Sequence, residues 1–369
     1  MSDHLFSPIQ VGTLDLPNRI AVAPMCQYSA EDGCASDWHL QHWMNLAMSG
    51  AGMVTVEMTD VERRGRISHG CLGLYSEANA AAAKRVLDAA RRVAAPGTKF
   101  GIQLAHAGRK ASCQRPWEGG KPLSASEDAW PVVSASAIPY AEGHPVPEAL
   151  DEAGIAMLVD DFGRAAERAA KVGFNFIELH SAHGYLLHQF LSPLSNRRTD
   201  QWGGSLENRM RFPLSVARRV REAAPKLVLG ARLSVTDWVP GGFDVDDAIL
   251  VAKAYKLAGI NYICCSSGGN SPLQKMPSGP GYQVHLATAI KNGANIFTRA
   301  VGLIDDALQA NDIIASGKAD IVALARAFLA DPRWAWRAAA QLGHEIVAPP
   351  QLLRSVPLVK QWVAVSPRL

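Results

Sequence analysis

The chain has few of the features that would make it secreted, membrane-bound or nucleic-acid-binding. Its six cysteines are spread over 369 residues. Cys26, Cys34, Cys71, Cys113, Cys264 and Cys265 form no C-x-x-C pair, so neither a disulfide framework nor a structural zinc site is expected. Reduced thiols in a cytoplasmic setting fit this usage. No stretch approaches the roughly 18 consecutive apolar residues of a spanning helix. The N-terminus carries Asp3 and Asp15 and lacks a continuous apolar run, so no signal peptide is expected. A net charge of +3, with no aromatic–basic stripe, argues against nucleic acid or an acidic membrane as partner. Charged residues make up only 19% against 48% hydrophobic, which points to extensive burial and leaves room for a subunit interface.

What the chain does have is alternation. Short runs rich in Val, Ile and Phe (19–24, 53–57, 100–104, 174–179, 227–233, 262–264, 295–298 and 321–324) alternate with patterns of helical period at 80–93, 155–172, 207–223, 246–257 and 304–315. Gly173, Gly259 and Gly317 follow three of those helices, where a left-handed cap is expected. Eight strand–helix units imply parallel strands and a single (β/α)8 TIM barrel spanning 1–369. Such a barrel needs only ~250 residues. The excess falls in a Pro-, Ser-, Gly- and Trp-containing insertion, 107–150, expected over the active-site face, and in a C-terminal extension, 349–369, a possible subunit contact.

In a barrel, residues just past the strand C-termini line the active site. The fourth strand ends in Glu178-Leu179-His180-Ser181-Ala182-His183-Gly184-Tyr185, which places two hydrogen-bond donors and a proton donor at one mouth. A zinc site would need a third nitrogen, sulfur or carboxylate ligand where Tyr185 stands. A Schiff-base lyase would need a mouth lysine, and Lys110 alone qualifies. Around this stretch lie Pro24, Met25, Cys26 and Tyr28 from the first strand, Met58 from the second and Gln103 from the third. Arg232 comes from the fifth, Val301 and Gly302 from the seventh, and Ala325 and Arg326 from the eighth. A glycine and an arginine at the last two strand ends suit phosphate. A glutamine edge and an arginine in mid-barrel suit a polar heterocycle that gains negative charge. Together they point to flavin mononucleotide.

These motifs, with Asn18-Arg19, Gly101-Ile102-Gln103-Leu104-Ala105-His106-Ala107-Gly108-Arg109-Lys110, Leu191-Ser192-Pro193, Asn196-Arg197-Arg198-Thr199-Asp200 and Gly203-Gly204-Ser205-Leu206-Glu207-Asn208-Arg209, resemble the old yellow enzyme family of FMN-dependent ene-reductases, in its shorter bacterial, thermophilic-like branch. The resemblance runs from about Leu5 to about Arg354. It implies that His180 and His183 hold the activating carbonyl or nitro oxygen of an alkene and that Tyr185 protonates its α-carbon. It further implies that Cys26 tunes the flavin and touches substrate, and that Tyr28 contacts substrate. Pro24, Met25, Met58, Gln103, Arg232, Val301, Gly302, Ala325 and Arg326 would meet the non-covalent FMN, and NADPH or NADH would reduce it. Arg354 would reach a neighbouring active site in a homodimer or homotetramer. The chain departs from the branch at Met58 (usually alanine), Ala325 (glycine), Leu352 (tyrosine) and Trp202 (tyrosine). Two other readings remain open: a relative of dienoyl-CoA reductases without their iron–sulfur cluster, and a flavin-based redox sensor. Arg109 and Lys110 could serve either substrate or the long loop.

Overall fold

The computed structural model describes residues 4–365, so Asp3 and the last four positions of the C-terminal extension lie outside it. Eight parallel strands close into a barrel: β1 (Ile20–Val22), β2 (Met53–Asp60), β3 (Lys99–Ala105), β4 (Phe176–Ser181), β5 (Val228–Ser234), β6 (Tyr262–Ser266), β7 (Phe297–Ala300) and β8 (Ile321–Leu324). Closure comes from β1, which pairs with β8 through Val22 and Leu324 and with β2 through Val22 and Val54. Helices α1 (Asp37–Ala47), α2 (Glu77–Val93), α3 (Glu152–Val172), α4 (Leu206–Ala223), α5 (Val245–Leu257), α6 (Val284–Ala294) and α7 (Ala307–Ala315) separate the strands.

Local chemistry accounts for the helix boundaries. Asp151, Ser205, Asp244 and Asp306 each accept a first-turn backbone N–H at the start of α3, α4, α5 and α7. Gly173, Gly259 and Gly317 all take positive φ, as the sequence predicts. Most boundaries shift by a few residues from expectation, and two shifts have a visible local cause. The last of the predicted helices begins at Ala307 instead of 304, because Asp306 is the cap. The seventh strand begins at Phe297 instead of 295, because Asn295 ends α6 in the left-handed conformation (φ 49°) that asparagine tolerates.

The period of two along each strand sorts side chains between barrel lumen and helix layer. Ile177, Leu179, Leu229, Ala231, Ile263 and Val322 join the main core with residues of the surrounding helices. Phe176, Val228, Tyr262, Cys264 and Ala323 form a second cluster, joined by Val11, Leu14 and Leu16 of an N-terminal hairpin, Ile9–Val11 with Leu14–Leu16. The rings of Phe176 and Tyr262 are accommodated because Gly101 and Gly230 lie opposite: a Cβ on either would sit 2.1 Å from the ring.

Above that apolar layer the lumen is charged. Glu178 pairs with Arg299, both fully buried. The carboxylate also accepts from Gln103 Nε2 (2.8 Å) and from the Tyr262 hydroxyl (3.1 Å), and Arg299 donates to Thr55 Oγ1 (3.1 Å). Removing one partner of such a pair strands the other in a low-dielectric interior. Arg299→Met should therefore lower the unfolding free energy by about 3–5 kcal/mol, measured as a fall in urea midpoint at unchanged slope.

Beyond the barrel, α8 (Trp334–Gln341) packs through Trp336 and Ala339 against Val359 of α9 (Val356–Val365). The sequence pattern of this extension is weakly periodic, and the helix has one buried residue among those described, Val359. Arg354, just before it, is exposed.

Candidate active site

The same alternation that places Glu178 in the lumen places His180 there, and Arg232 is its register partner on β5. The turn after β4 then folds back. His183 sits in the left-handed region (φ 59°) followed by Gly184 (φ 71°), and the His183 N–H donates to Ser234 Oγ at 3.0 Å. This turn brings the rings together: His180 lies 5.0 Å from His183 and 4.8 Å from Tyr185, centroid to centroid, edge-on in both cases.

The histidines are neutral donors. Burial, with Arg232 next in importance, holds both well below the ordinary imidazole range. His180 Nδ1 accepts the Ala182 N–H at 3.3 Å, which places its remaining proton on Nε2. His183 Nε2 meets Ser266 Oγ at 2.7 Å. Tyr185 is kept protonated: burial, then Cys26 and Tyr28, push it well above its ordinary value.

The loop after β1 forms the opposing wall. A β-bulge in β2 between Val56 and Met58 frees Glu57, whose carboxylate holds the Gln27 N–H (3.1 Å) and His39 Nε2 (3.1 Å) behind the loop. Tyr28 takes positive φ (51°), and its carbonyl lies so close to Gly70 that a Cβ there would sit 2.1 Å away. Met58 is buried with Ala105, Ala107, Ala111 and Val132, and Cys26 and Tyr185 pack on that cluster. Met58, expected beside the flavin, thus packs in the same wall as Cys26 and Tyr185. Burial, with Cys71, Glu57 and Asp60, keeps the Cys26 thiol protonated. Asp60 was not among the sequence candidates. It is fully buried, neither carboxyl oxygen has a hydrogen-bond partner among the described residues, and burial pushes its pKa well up. Its position at a strand mouth was the available signal.

On the other side, a cavity of about 350 Å³ is lined by His183, Arg232, Ser266, Val301, Gly302 and Arg326, among others. The Arg232 Nε is buried and makes no protein hydrogen bond among the described residues. Gly302 has φ 122°, and a Cβ on it would meet Gln283 Nε2 at 2.6 Å. A guanidinium with an unmatched N–H, a second arginine and a glycine cradle fit an anionic, phosphate-bearing heterocycle. Gln103, fixed by Glu178 through one N–H, retains its carbonyl oxygen for a ring edge. Gln283, Tyr282 and Met276 add to the lining from a stretch whose sequence carries no strand-end signal, and Ser267 adds to it from just past the end of β6. A second cavity, about 380 Å³, opens between Tyr28, Tyr185 and Lys110 on the barrel side and Cys113, Gln114, Tyr140 and His144 of the insertion. Arg354 lines neither cavity.

A parallel barrel with a phosphate-type cradle at β7–β8 and paired neutral histidines above it defines a flavin-binding oxidoreductase. The comparisons agree. A profile described as the NADH:flavin oxidoreductase / NADH oxidase family matches residues 4–345. An NADPH dehydrogenase of Listeria innocua is 41% identical over 353 residues, 95% of this chain and 98% of its own. One from Geobacillus sp. is 41% identical over 358 residues, covering 96% and 99%. Among solved structures, morphinone reductase superposes with a TM-score of 0.76 at 29% identity, covering 95% of this chain and 93% of its own, and has also been solved with tetrahydroNAD. A 2-naphthoyl-CoA reductase superposes with a TM-score of 0.82 at 25% identity; the match covers 94% of this chain and 54% of that one. The chain belongs to the NADH:flavin oxidoreductase / NADH oxidase family, that of the old yellow enzymes. It is an FMN-dependent oxidoreductase that uses a nicotinamide cofactor.

The cradle is directly testable. Gly302→Val places a side chain against Gln283 at a strained φ. The purified variant should lose most of its FMN, read as a fall in flavin-to-protein absorbance, while the far-UV circular dichroism is retained.

Proposed function

We propose that the chain is an ene-reductase: it uses NADPH, or NADH, to saturate the C=C bond of an activated alkene such as an α,β-unsaturated ketone or aldehyde, a maleimide or a nitroalkene. The observation that carries this reading is the placement of two neutral histidines and one protonated tyrosine around a single point. FMN, when bound, supplies the hydride chemistry between the nicotinamide and the alkene's β-carbon. Pro24, Met25, Cys26, Met58, Gln103, Arg232, Val301, Gly302, Ala325 and Arg326 hold it or border it. Gln103 and Arg232 meet the ring, and Gly302 and Arg326 meet the phosphate.

The protein's own work is electrostatic and acidic. His180 and His183 donate to the carbonyl or nitro oxygen, on which negative charge grows as the β-carbon is reduced. Neutral donors suit this role, because they strengthen with the growing charge without giving up a proton first. Tyr185 protonates the α-carbon: its O–H bond breaks as the new C–H bond forms. Cys26 and Tyr28 shape the opposite wall and contact substrate. Arg354 lies on the outer surface, consistent with a place in a neighbour's site within a homodimer or homotetramer. A sensor built on Cys26 is disfavoured, because a thiol held protonated is a poor nucleophile and a poor target for oxidation.

Anaerobic mixing decides the matter. Protein reduced with NADPH should regain its oxidised flavin spectrum on addition of cyclohexenone; failure to reoxidise would overturn the reading. Tyr185→Phe should slow that reoxidation by ~10²–10⁴-fold and leave reduction by NADPH within a few-fold, as stopped-flow absorbance would show. His180→Ala combined with His183→Ala should retain FMN and bind a phenolic inhibitor at least ~10-fold more weakly in a flavin-absorbance titration, since two hydrogen bonds to a charged oxygen are lost.

A further inference from the structure

Lys110 leaves the short turn after β3 and reaches across the site without an acidic partner. Its ammonium donates to the carbonyls of His183 (2.8 Å) and Gly269 (2.9 Å), and it lies over the rings of Tyr140 (4.7 Å) and Tyr185 (5.1 Å). No carboxylate is paired with it among the described residues. The titratable or charged groups facing it are Arg109 and Cys113 on its own loop, Tyr28 from the loop after β1, and Tyr140 and His144 from the insertion. From β4 and its turn come His180, His183 and Tyr185, and from β5 comes Arg232. His188 Nε2 meets Asp237 Oδ1 at 3.1 Å behind the turn.

The two carbonyls belong to loops whose backbones touch. A Cβ on Gly184 would sit 2.3 Å from the Gly269 carbonyl oxygen, and one on Gly269 would sit 2.6 Å from the His183 Cα. His183 itself holds a left-handed conformation that a non-glycine residue adopts only when its surroundings impose it. Arg109 fastens the same region from the next position, donating to the Asn270 carbonyl (2.7 Å) and side chain (3.1 Å) and to the carbonyls of Ile138 and Pro139 (3.3 Å each).

We propose that Lys110 is a positioning residue that clamps the β4 and β6 loops so that His183 and Tyr185 face one substrate, and that its charge eases release of the Tyr185 proton. This rests on the ene-reductase reading. As the Tyr185 O–H bond breaks and the α-carbon gains its hydrogen, the tyrosinate left behind is stabilised by an ammonium over its ring, until a proton from water restores the phenol. No oxidant or reductant is needed beyond those of the parent reaction.

Burial, reinforced by Arg109, brings the ammonium down to about 8. The charge is therefore present below about pH 8 and lost above it, so the proton-transfer half-reaction should slow as pH rises through that point. The test compares wild type, Lys110→Met and Lys110→Arg. One arm is reoxidation of the NADPH-reduced protein by cyclohexenone from about pH 6 to about pH 9.5. The other is amide hydrogen exchange over residues 182–185 and 267–270. Wild type should show a break near pH 8. Lys110→Met should be at least ~10-fold slower at low pH and show no break. Lys110→Arg should keep its charge and lose the break. Exchange should accelerate in the Met variant and not in the Arg variant. A break near pH 8 surviving in either variant overturns the electrostatic role, and unchanged exchange in Lys110→Met overturns the clamp. If Lys110→Met does not fold, loss of the break in Lys110→Arg decides alone. A wild type that cyclohexenone cannot reoxidise overturns the parent reading and the electrostatic role with it, and the exchange arm then decides the clamp alone.

Discussion

The buried pair of Glu178 and Arg299 sits at the middle of the barrel lumen, and the layers above and below are arranged around it. Through Gln103, Tyr262 and Thr55 it links five strands, β2, β3, β4, β6 and β7. Two charges with no solvent would cost several kcal/mol each if left unmatched. Here every strand that supplies a partner is fixed in register by the need to match them. The consequence for the site is positional. Two residues along β4 from Glu178 is His180, and the register partner of His180 is Arg232. Gln103, bonded to Glu178, is held with its remaining polar atoms free for a ligand. The charged layer thus lies beneath the proposed flavin site as well as forming the core of the barrel.

Above that floor the site is built by withholding charge. Burial keeps the two histidines neutral and Tyr185 and Cys26 protonated, and it pushes the Asp60 carboxyl well up. The cations left facing the centre are arginines and Lys110, with no carboxylate set against Lys110 among the described residues. Such a chamber favours an anion wherever it appears: on a phosphate, on a reduced heterocycle or on an enolate-like oxygen. Apolar packing around Met58 and the aromatic lining of the insertion lower the local dielectric and lengthen the reach of each remaining charge. Position and charge state therefore have a common origin in how deeply each residue is buried.

Much of this was legible along the chain. Strands buried on both faces read as apolar runs, and a period of two from any one of them tells which residues enter the lumen. Gln103, His180, Arg232, Val301, Gly302, Ala325 and Arg326 could be picked out because they stand at or just past strand ends. Legibility failed where the determining contact is distant in sequence. The N-terminal hairpin is two three-residue strands whose meaning lies in the barrel bottom they plug. Gln283 and Met276 reach the cofactor cavity from a loop without regular pattern. Asp60 and Cys71 gain significance only because a folded wall encloses both with Cys26. The C-terminal helix, weakly periodic by sequence, is helical and held through Val359 against α8.

The sequence by itself determined the eight-fold strand–helix order, the helix caps and which side chains point into the lumen, because these depend on periods of two and 3.6 and on local hydrogen bonds. It also carried the family motifs and, with them, the expectation of a flavin. Only the tertiary structure decided which groups are desolvated and which partners Lys110 meets. Both arise from burial and from carbonyls on loops 73 and 159 residues away, and no local rule reaches across that distance.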